Sequence, residues 1–287
     1  MDIMWRFSGV ILVSIYSLLM LLFGKLPMEF DYFFSITLLC LLGVSHGAGD
    51  HLIAQKLSTI LGYTFHLKLF IMYYVGIMIL YLIGWLVFPY LCFLIFIGIS
   101  IFHFGELEHH SPSANQTDSL PKILEFLRTI SLGTGILLWI LMSHQDEISS
   151  ILVEMKIPLD RIHFIHPAWS LIFLALGFSK THIQSYLNTC ITLFIGTYIP
   201  LIPAFICYFS GCHAIYSLRS MSKFLELPIL LLLKKLIPFS LTALLLGAVF
   251  VFFFMKQVLF GPIFIFLSVL TLPHFILMHM LVKAPNA

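Results

Sequence analysis

The chain has 287 residues, of which 60% are hydrophobic and only 10% charged. A soluble globular domain carries about 25% charged residues, so that class is excluded. The net charge of +2, with histidine neutral, gives no electrostatic footprint for a nucleic-acid partner.

Apolar runs near the ~20-residue length that spans a bilayer recur from end to end. They predict an all-α fold: a polytopic transmembrane helical bundle of about 8–10 spans, forming a single integral membrane domain over residues 1–287. The first run follows Met1–Arg6 and continues to Leu22. Gly24-Lys25-Leu26-Pro27 comes next in place of a small-residue cleavage pattern, so an anchor helix is expected rather than a signal peptide. Ten spans are read at approximately 8–24, 32–52, 67–88, 90–106, 122–142, 166–179, 184–200, 203–219, 236–254 and 259–282. The run 166–179 is short, and the pair Pro200 and Pro203 marks a break. Loops are expected at about 106–121, including the polar stretch Ser111–Asp118, and at about 143–165; both are too small for a soluble domain. Eleven of the fifteen Lys and Arg residues, among them Lys56, Lys68, Lys223, Lys234 and Lys235, fall on one side of this scheme. The positive-inside rule makes that side cytoplasmic and predicts a cell (inner) membrane protein with both termini inside. Trp5 and Trp169, with Trp85 and Trp139, read as interface anchors. The five cysteines all lie in apolar stretches without a CxxC pair and read as buried free thiols.

Four histidines stand out: His46 in SHGAGD, His103 in FHFGE, His213 in SGCHAIYS and His274 in TLPHF. Each falls in about the last two turns of a span running from outside to inside, which predicts one depth for all four. An imidazole in lipid needs a polar partner or a metal. Neutral imidazoles without sulfur suit Fe(II), Cu or Zn better than Mg or Ca. Such a centre needs carboxylates to orient the rings and offset charge. Asp50, four residues after His46 on the same helical face, and Glu106, three after His103, are the candidates. Gly47, Gly49 and Gly105 allow close approach of a ligand or backbone, and Pro273 can bend the span beside His274. His51 reads as a surface or supporting residue, His279 as interfacial, and Glu108-His109-His110 as a loop. The 29 Phe and 11 Tyr would also suit a tunnel for a long conjugated apolar substrate.

These residues resemble the Brp/Blh family of bacterial and archaeal membrane β-carotene 15,15′-dioxygenases. His46-Gly47-Ala48-Gly49-Asp50 is similar to the family's HGAxD, His103-Phe104-Gly105-Glu106 to its HFGE-type segment, Tyr208-Phe209 with His213 to a later aromatic-to-histidine segment, and Thr271-Leu272-Pro273-His274 to its TLPH. The resemblance implies a membrane enzyme with non-haem Fe(II) that splits the central double bond of β-carotene, or a related carotenoid, with O₂ to give two retinal molecules. It implies His46, His103 and His213 as iron ligands. Two departures stand out. Ser45 replaces a proline often found before HGAxD, and Ser217 occupies the place of the second histidine in the family's HSxxH. Either His274 completes a four-histidine set, or water fills the gap, or this member has moved to another carotenoid or lost cleavage.

The expected function is therefore Fe(II)-dependent carotenoid cleavage within the bilayer. His46, His103, His213 and His274 would be the catalytic metal ligands, Asp50 and Glu106 would hold the imidazoles, and a rhodopsin would be a candidate partner for the product. The alternative is a non-catalytic carotenoid- or retinal-binding membrane protein with a degenerate metal site. A transporter would place polar residues through both leaflets, whereas the outer halves of the histidine-bearing spans are apolar. A di-iron desaturase would need several HxxxH or HxxHH boxes, and the chain has none.

Overall fold

The computed structural model describes residues 6–109, 122–179, 183–254 and 260–282. No strand occurs among the described residues. In chain order the helices are α1 (Ser8–Phe23), α2 (Met28–Leu38), a π-helical segment Leu39–Gly43, α3 (Val44–Gly47), α4 (Asp50–Ile60), α5 (Leu67–Val87), α6 (Pro89–His109), α7 (Lys122–Ser143) and α8 (Gln145–Glu154). After a 3₁₀ turn at Leu159–Arg161 come α9 (Trp169–Leu176), α10 (Ile183–Gly196), α11 (Leu201–Tyr208), a second π-helical segment Phe209–Ala214, α12 (Ile215–Leu225), α13 (Ile229–Phe254) and α14 (Phe260–Val282).

Among the described residues, seven helical stretches are long and apolar enough to cross a membrane: Met28–Ile60, Leu67–Val87, Pro89–Glu106, Ile123–Ser143, Leu201–Leu225, Ile229–Gly247 and Gly261–Leu281. Ser8–Phe23 is a shorter apolar helix. The chain is an all-α, multi-pass membrane bundle. Two further expected spans are shorter still. The eight residues of α9 rise about 12 Å and the fourteen of α10 about 21 Å, against a hydrocarbon core of about 30 Å. The expected loop at 143–165 contains α8, which carries Asp146 and Glu147 in its first turn and buries Ile148, Ile151 and Leu152. Helix α6 continues through Glu108 and His109, where a loop is expected. His110 and the stretch Ser111–Asp118 lie outside the described residues.

The chain divides into two compact units. The first comprises residues 1–46, 100–148 and 164–220. Its helices approach so closely that side chains are excluded at the crossings. A methyl group built on Gly105 of α6 would overlap the Thr129 carbonyl of α7, and one on Gly133 of α7 would overlap the Ile101 carbonyl of α6. Lipid gives no hydrophobic drive between helices, so this small-residue packing is what holds such a pair.

The two π segments also pack on each other within this unit. A Cβ on Gly43 would stand 3.0 Å from the Phe209 ring, and one on Gly211 would stand 2.6 Å from the Gly9 Cα of α1. A π turn widens the helix and shifts its backbone hydrogen bonds by one residue. Side chains bond carbonyls in and beside both segments. Ser45 Oγ donates to Leu41 O (3.0 Å), Ser210 Oγ to Leu38 O (3.3 Å), Ser8 Oγ to Gly211 O and His46 Nδ1 to Gly43 O. An unsatisfied carbonyl in hydrocarbon costs several kcal/mol, so these bonds make the widened turns tolerable.

The second unit comprises residues 47–99, 149–163 and 221–287. Here α14 packs on α5, α4 and α13. Large apolar side chains such as Leu80, Leu86, Leu241 and Leu245 are exposed, as expected of surfaces that face lipid. Gly49 packs directly beneath the Met221 side chain, whose sulfur would overlap any Cβ there.

Candidate metal centre

In the first unit, His46 follows the first π segment on α3, His103 lies on α6 and His213 lies inside the second π segment. All three are buried. Nδ1 of His46 faces the Gly43 carbonyl. A carbonyl only accepts, so in the neutral ring Nδ1 carries the proton and Nε2 the lone pair. His46 and His103 each present a ring nitrogen, the two within 4.8 Å of each other. The His213 ring meets His46 edge-on at a centroid distance of 5.4 Å and His103 at 4.8 Å. The sequence places the three 57 and 110 residues apart; the fold brings the rings side by side.

Aromatic rings wall this cluster. Phe209 stacks on His213 at 5.4 Å and 17°, and meets His46 edge-on at 5.3 Å. Phe104 meets His213 edge-on at 4.8 Å, and the fully buried Tyr208 closes over Phe104 at 5.6 Å. Such a wall keeps water from the imidazoles and keeps the local dielectric low. Glu106 is buried in the same unit, one turn beyond His103. The donors are imidazole nitrogens without thiolate, a set that fits Fe(II), Cu or Zn and not the oxygen-seeking Mg or Ca.

In the second unit, His274 of α14 is buried and its Nδ1 bonds Asp50 Oδ1 at 2.7 Å. The carboxylate accepts, so in the neutral ring Nδ1 again carries the proton and Nε2 the lone pair. This is the arrangement in which a ligating histidine's other nitrogen is held by an oxygen. Asp50 is the first residue of α4, where the positive end of the helix dipole favours a carboxylate. Its second oxygen accepts a hydrogen bond from Tyr74 on α5, at 2.8 Å. A Cβ on Gly47 would lie 3.9 Å from His274 Nδ1, so this ring runs alongside the backbone of the residue that follows His46. Pro273 is accommodated inside α14, which continues to Val282.

The remaining described histidines do other things. His51 stacks on Phe239 at 3.8 Å and bonds the Ala48 carbonyl. His279 stacks on Phe275. His144 is buried with Nδ1 on Ile140 O (2.8 Å) and Nε2 on Ile199 O (3.0 Å). Ser217, one turn after His213, is fully buried.

Tyr74 and the π segments escape a sequence reading. Tyr74 is one of three tyrosines on α5, and nothing in the sequence sets it apart from Tyr73 and Tyr81. The signal for the π segments was a glycine two or three residues ahead of a histidine, at Gly43 and Gly211.

Comparison with known proteins adds one positive finding. No curated protein and no solved structure gives a significant match. A family model described as Beta-carotene 15,15'-dioxygenase matches residues 37–282, a stretch that takes in both π segments and all four histidines. The chain therefore belongs to the Beta-carotene 15,15'-dioxygenase family.

Proposed function

We propose that the protein cleaves β-carotene, or a closely related carotenoid, with O₂ inside the bilayer, and that it works as one integral membrane domain. In this reading His46, His103, His213 and His274 hold a single Fe(II) ion. The balance is one carotenoid and one O₂ to two aldehydes, each carbon of the cleaved double bond ending on one oxygen atom. Bound Fe(II) would supply the activation of O₂, a reaction that side chains alone do not perform.

The observation that carries the proposal is the state of the imidazoles. His46 and His274 each have Nδ1 on an oxygen acceptor, which in the neutral ring makes Nε2 the basic nitrogen. His274 is included because its Nδ1 edge lies against Gly47, and Gly47 follows His46 directly in the chain. The residues' own work is to fix ring tautomers, keep water out and present an apolar surface on which a polyene loses nothing by leaving lipid. The rings of Phe104, Phe209 and Tyr208 are assigned that role. Glu106 is assigned a supporting role beside His103. The placement in the inner membrane with cytoplasmic termini, and delivery of the product to a rhodopsin, belong to the same proposal.

One observation favours a second reading. Ser217 is buried one turn from His213, at the position where the resemblance implies a second histidine. A carrier that binds carotenoid or retinal without cleaving it would tolerate that residue.

The test is expression of the chain in bacterial cells that make β-carotene. Loss of orange colour with accumulation of retinal supports cleavage. Bound pigment without O₂ uptake supports the carrier. Iron-replete purified protein that yields no aldehyde from β-carotene or related polyenes, and retains none, would sink both.

A further inference from the structure

We infer that Tyr74 is a positioning residue of the metal centre, acting on His274 through Asp50; this rests on the ligand role proposed above for His274. Two consecutive helices, α4 and α5, and the distant α14 meet at one carboxylate. Asp50 Oδ1 takes the His274 Nδ1–H at 2.7 Å, and Asp50 Oδ2 takes the Tyr74 hydroxyl at 2.8 Å. With one oxygen on each partner, the carboxylate can neither rotate about its Cβ–Cγ bond nor offer the imidazole a different oxygen without breaking a bond. The direction of the His274 lone pair is thereby fixed from α5, by a residue 200 positions away in sequence.

The neighbouring tyrosine shows that this is specific to position 74. Tyr73 is exposed, whereas Tyr74 turns inward to the carboxylate. A phenylalanine at position 74 would fill the same space and serve lipid equally well. What it would lack is the donor that holds Oδ2. In a low-dielectric setting an acceptor that loses its partner seeks another, and Asp50 would reorient with His274 following.

A second tyrosine on the same helix supplies the control. Tyr81 is buried in the same unit and donates to a backbone carbonyl, Cys92 O, at 2.9 Å. Its hydroxyl bonds a backbone carbonyl and not a carboxylate that holds a histidine. If Tyr74 served only to hold helices together, removing either hydroxyl would have the same effect.

The experiment uses full-length protein in detergent or nanodiscs with Tyr74→Phe, Tyr81→Phe, Asp50→Asn and the double variant Asp50→Asn/Tyr74→Phe. Fe(II) affinity is read by chelator competition, and ligand geometry by the visible absorption of Co(II) in place of iron. Loss of a partner that orients a metal ligand weakens affinity about 10–100-fold, and Tyr74→Phe is expected near the lower limit. It should also shift the Co(II) spectrum, while Tyr81→Phe binds as wild type with a comparable loss in melting temperature. The double variant should bind no more weakly than Asp50→Asn alone, because the hydroxyl acts only through that carboxylate. Wild-type affinity and spectrum in Tyr74→Phe, or equal losses in the two tyrosine variants, would overturn the inference. Wild-type protein that binds neither metal would instead overturn the proposed centre itself.

Discussion

Two regions of the first unit each bury a histidine, and they treat it in opposite ways. At the corner between α7 and α8, His144 has both ring nitrogens against backbone carbonyls, Ile140 O and Ile199 O. Beside it Glu147 accepts the Leu201 N–H at 3.0 Å, and Trp139 donates to Leu193 O and Thr197 Oγ1, both at 3.0 Å. Apart from the local His144 Nδ1–Ile140 O contact, these bonds tie the start of α11 and the end of α10 to α7 and α8. In the π-segment region, His46 Nδ1 bonds the Gly43 carbonyl, and the ring meets Phe209 and the His213 imidazole edge-on. Burial is the same in both places, so burial does not mark a metal ligand. What differs is the neighbourhood: His144 sits between two backbone carbonyls, His46 beside another imidazole and an aromatic ring.

The strongest way to break this comparison is to remove one histidine from each region. His46→Ala is expected to lose iron and product formation by at least about 100-fold, beyond the 10–100-fold that follows loss of an outer partner. His144→Ala is expected to keep iron and activity per folded molecule, and to lose about 1–3 kcal/mol of stability for the carbonyl left without its donor. Metal content per protein and thermal melting, measured on the same samples, separate the two. Iron lost from His144→Ala with stability intact would reverse the comparison.

A smaller effect is expected from packing. Gly133 lets α7 lie against the Ile101 carbonyl of α6, two residues before His103. Gly133→Ala must push α6 and α7 apart, at about 1–3 kcal/mol for overpacking. If the metal centre depends on this crossing, iron affinity falls together with melting temperature. Gly76→Ala is the control, because a Cβ there meets nothing within 4 Å. Affinity that holds while stability falls would detach the histidine region from the packing beneath it.

How much of this was legible in the sequence follows from which force dominates each feature. The spans expected at 67–88, 90–106 and 122–142 match α5, α6 and α7 to within a few residues, because hydrophobic length alone sets them and Pro89 or polar residues bound them. Helix α8 was read as loop because its apolar face covers only ten residues, and its polar face resembles a connection. The ten-span reading included 166–179 and 184–200, since hydropathy measures apolar content and not whether a helix continues for 30 Å. The four histidines and Asp50 could be picked out because polar groups in apolar runs are costly. Tyr74 could not, since an intramembrane tyrosine resembles an interfacial anchor until its partner, 24 residues away, is known. The π segments leave no trace in hydropathy: one extra residue in a turn changes neither composition nor length.

The comparison also needs a floor, a polar tie outside both histidine regions and exposed to water. Lys56 and Glu226 provide it in the second unit. Lys56 Nζ donates to the Phe224 carbonyl at the end of α12 and to Glu226 Oε1 at 2.8 Å. Glu226 sits at φ 56°, the left-handed turn that ends a helix, and a cation near the last carbonyls is favoured there. The Lys56 hydrogen bond and charge hold the Glu226 carboxyl below its ordinary range. A depressed carboxylate adds stability above its unfolded pKa and loses that contribution as pH falls through the folded one. Glu226 is fully exposed, so Glu226→Gln should lower the melting temperature by no more than about 1 °C at neutral pH. The gap between variant and wild type should close as pH drops below about 4. Lys56→Met should cost more, because it also strips the Phe224 carbonyl of its donor. Equal effects from the two variants would mean that the ion pair, and not the cap on α12, carries what little this tie contributes.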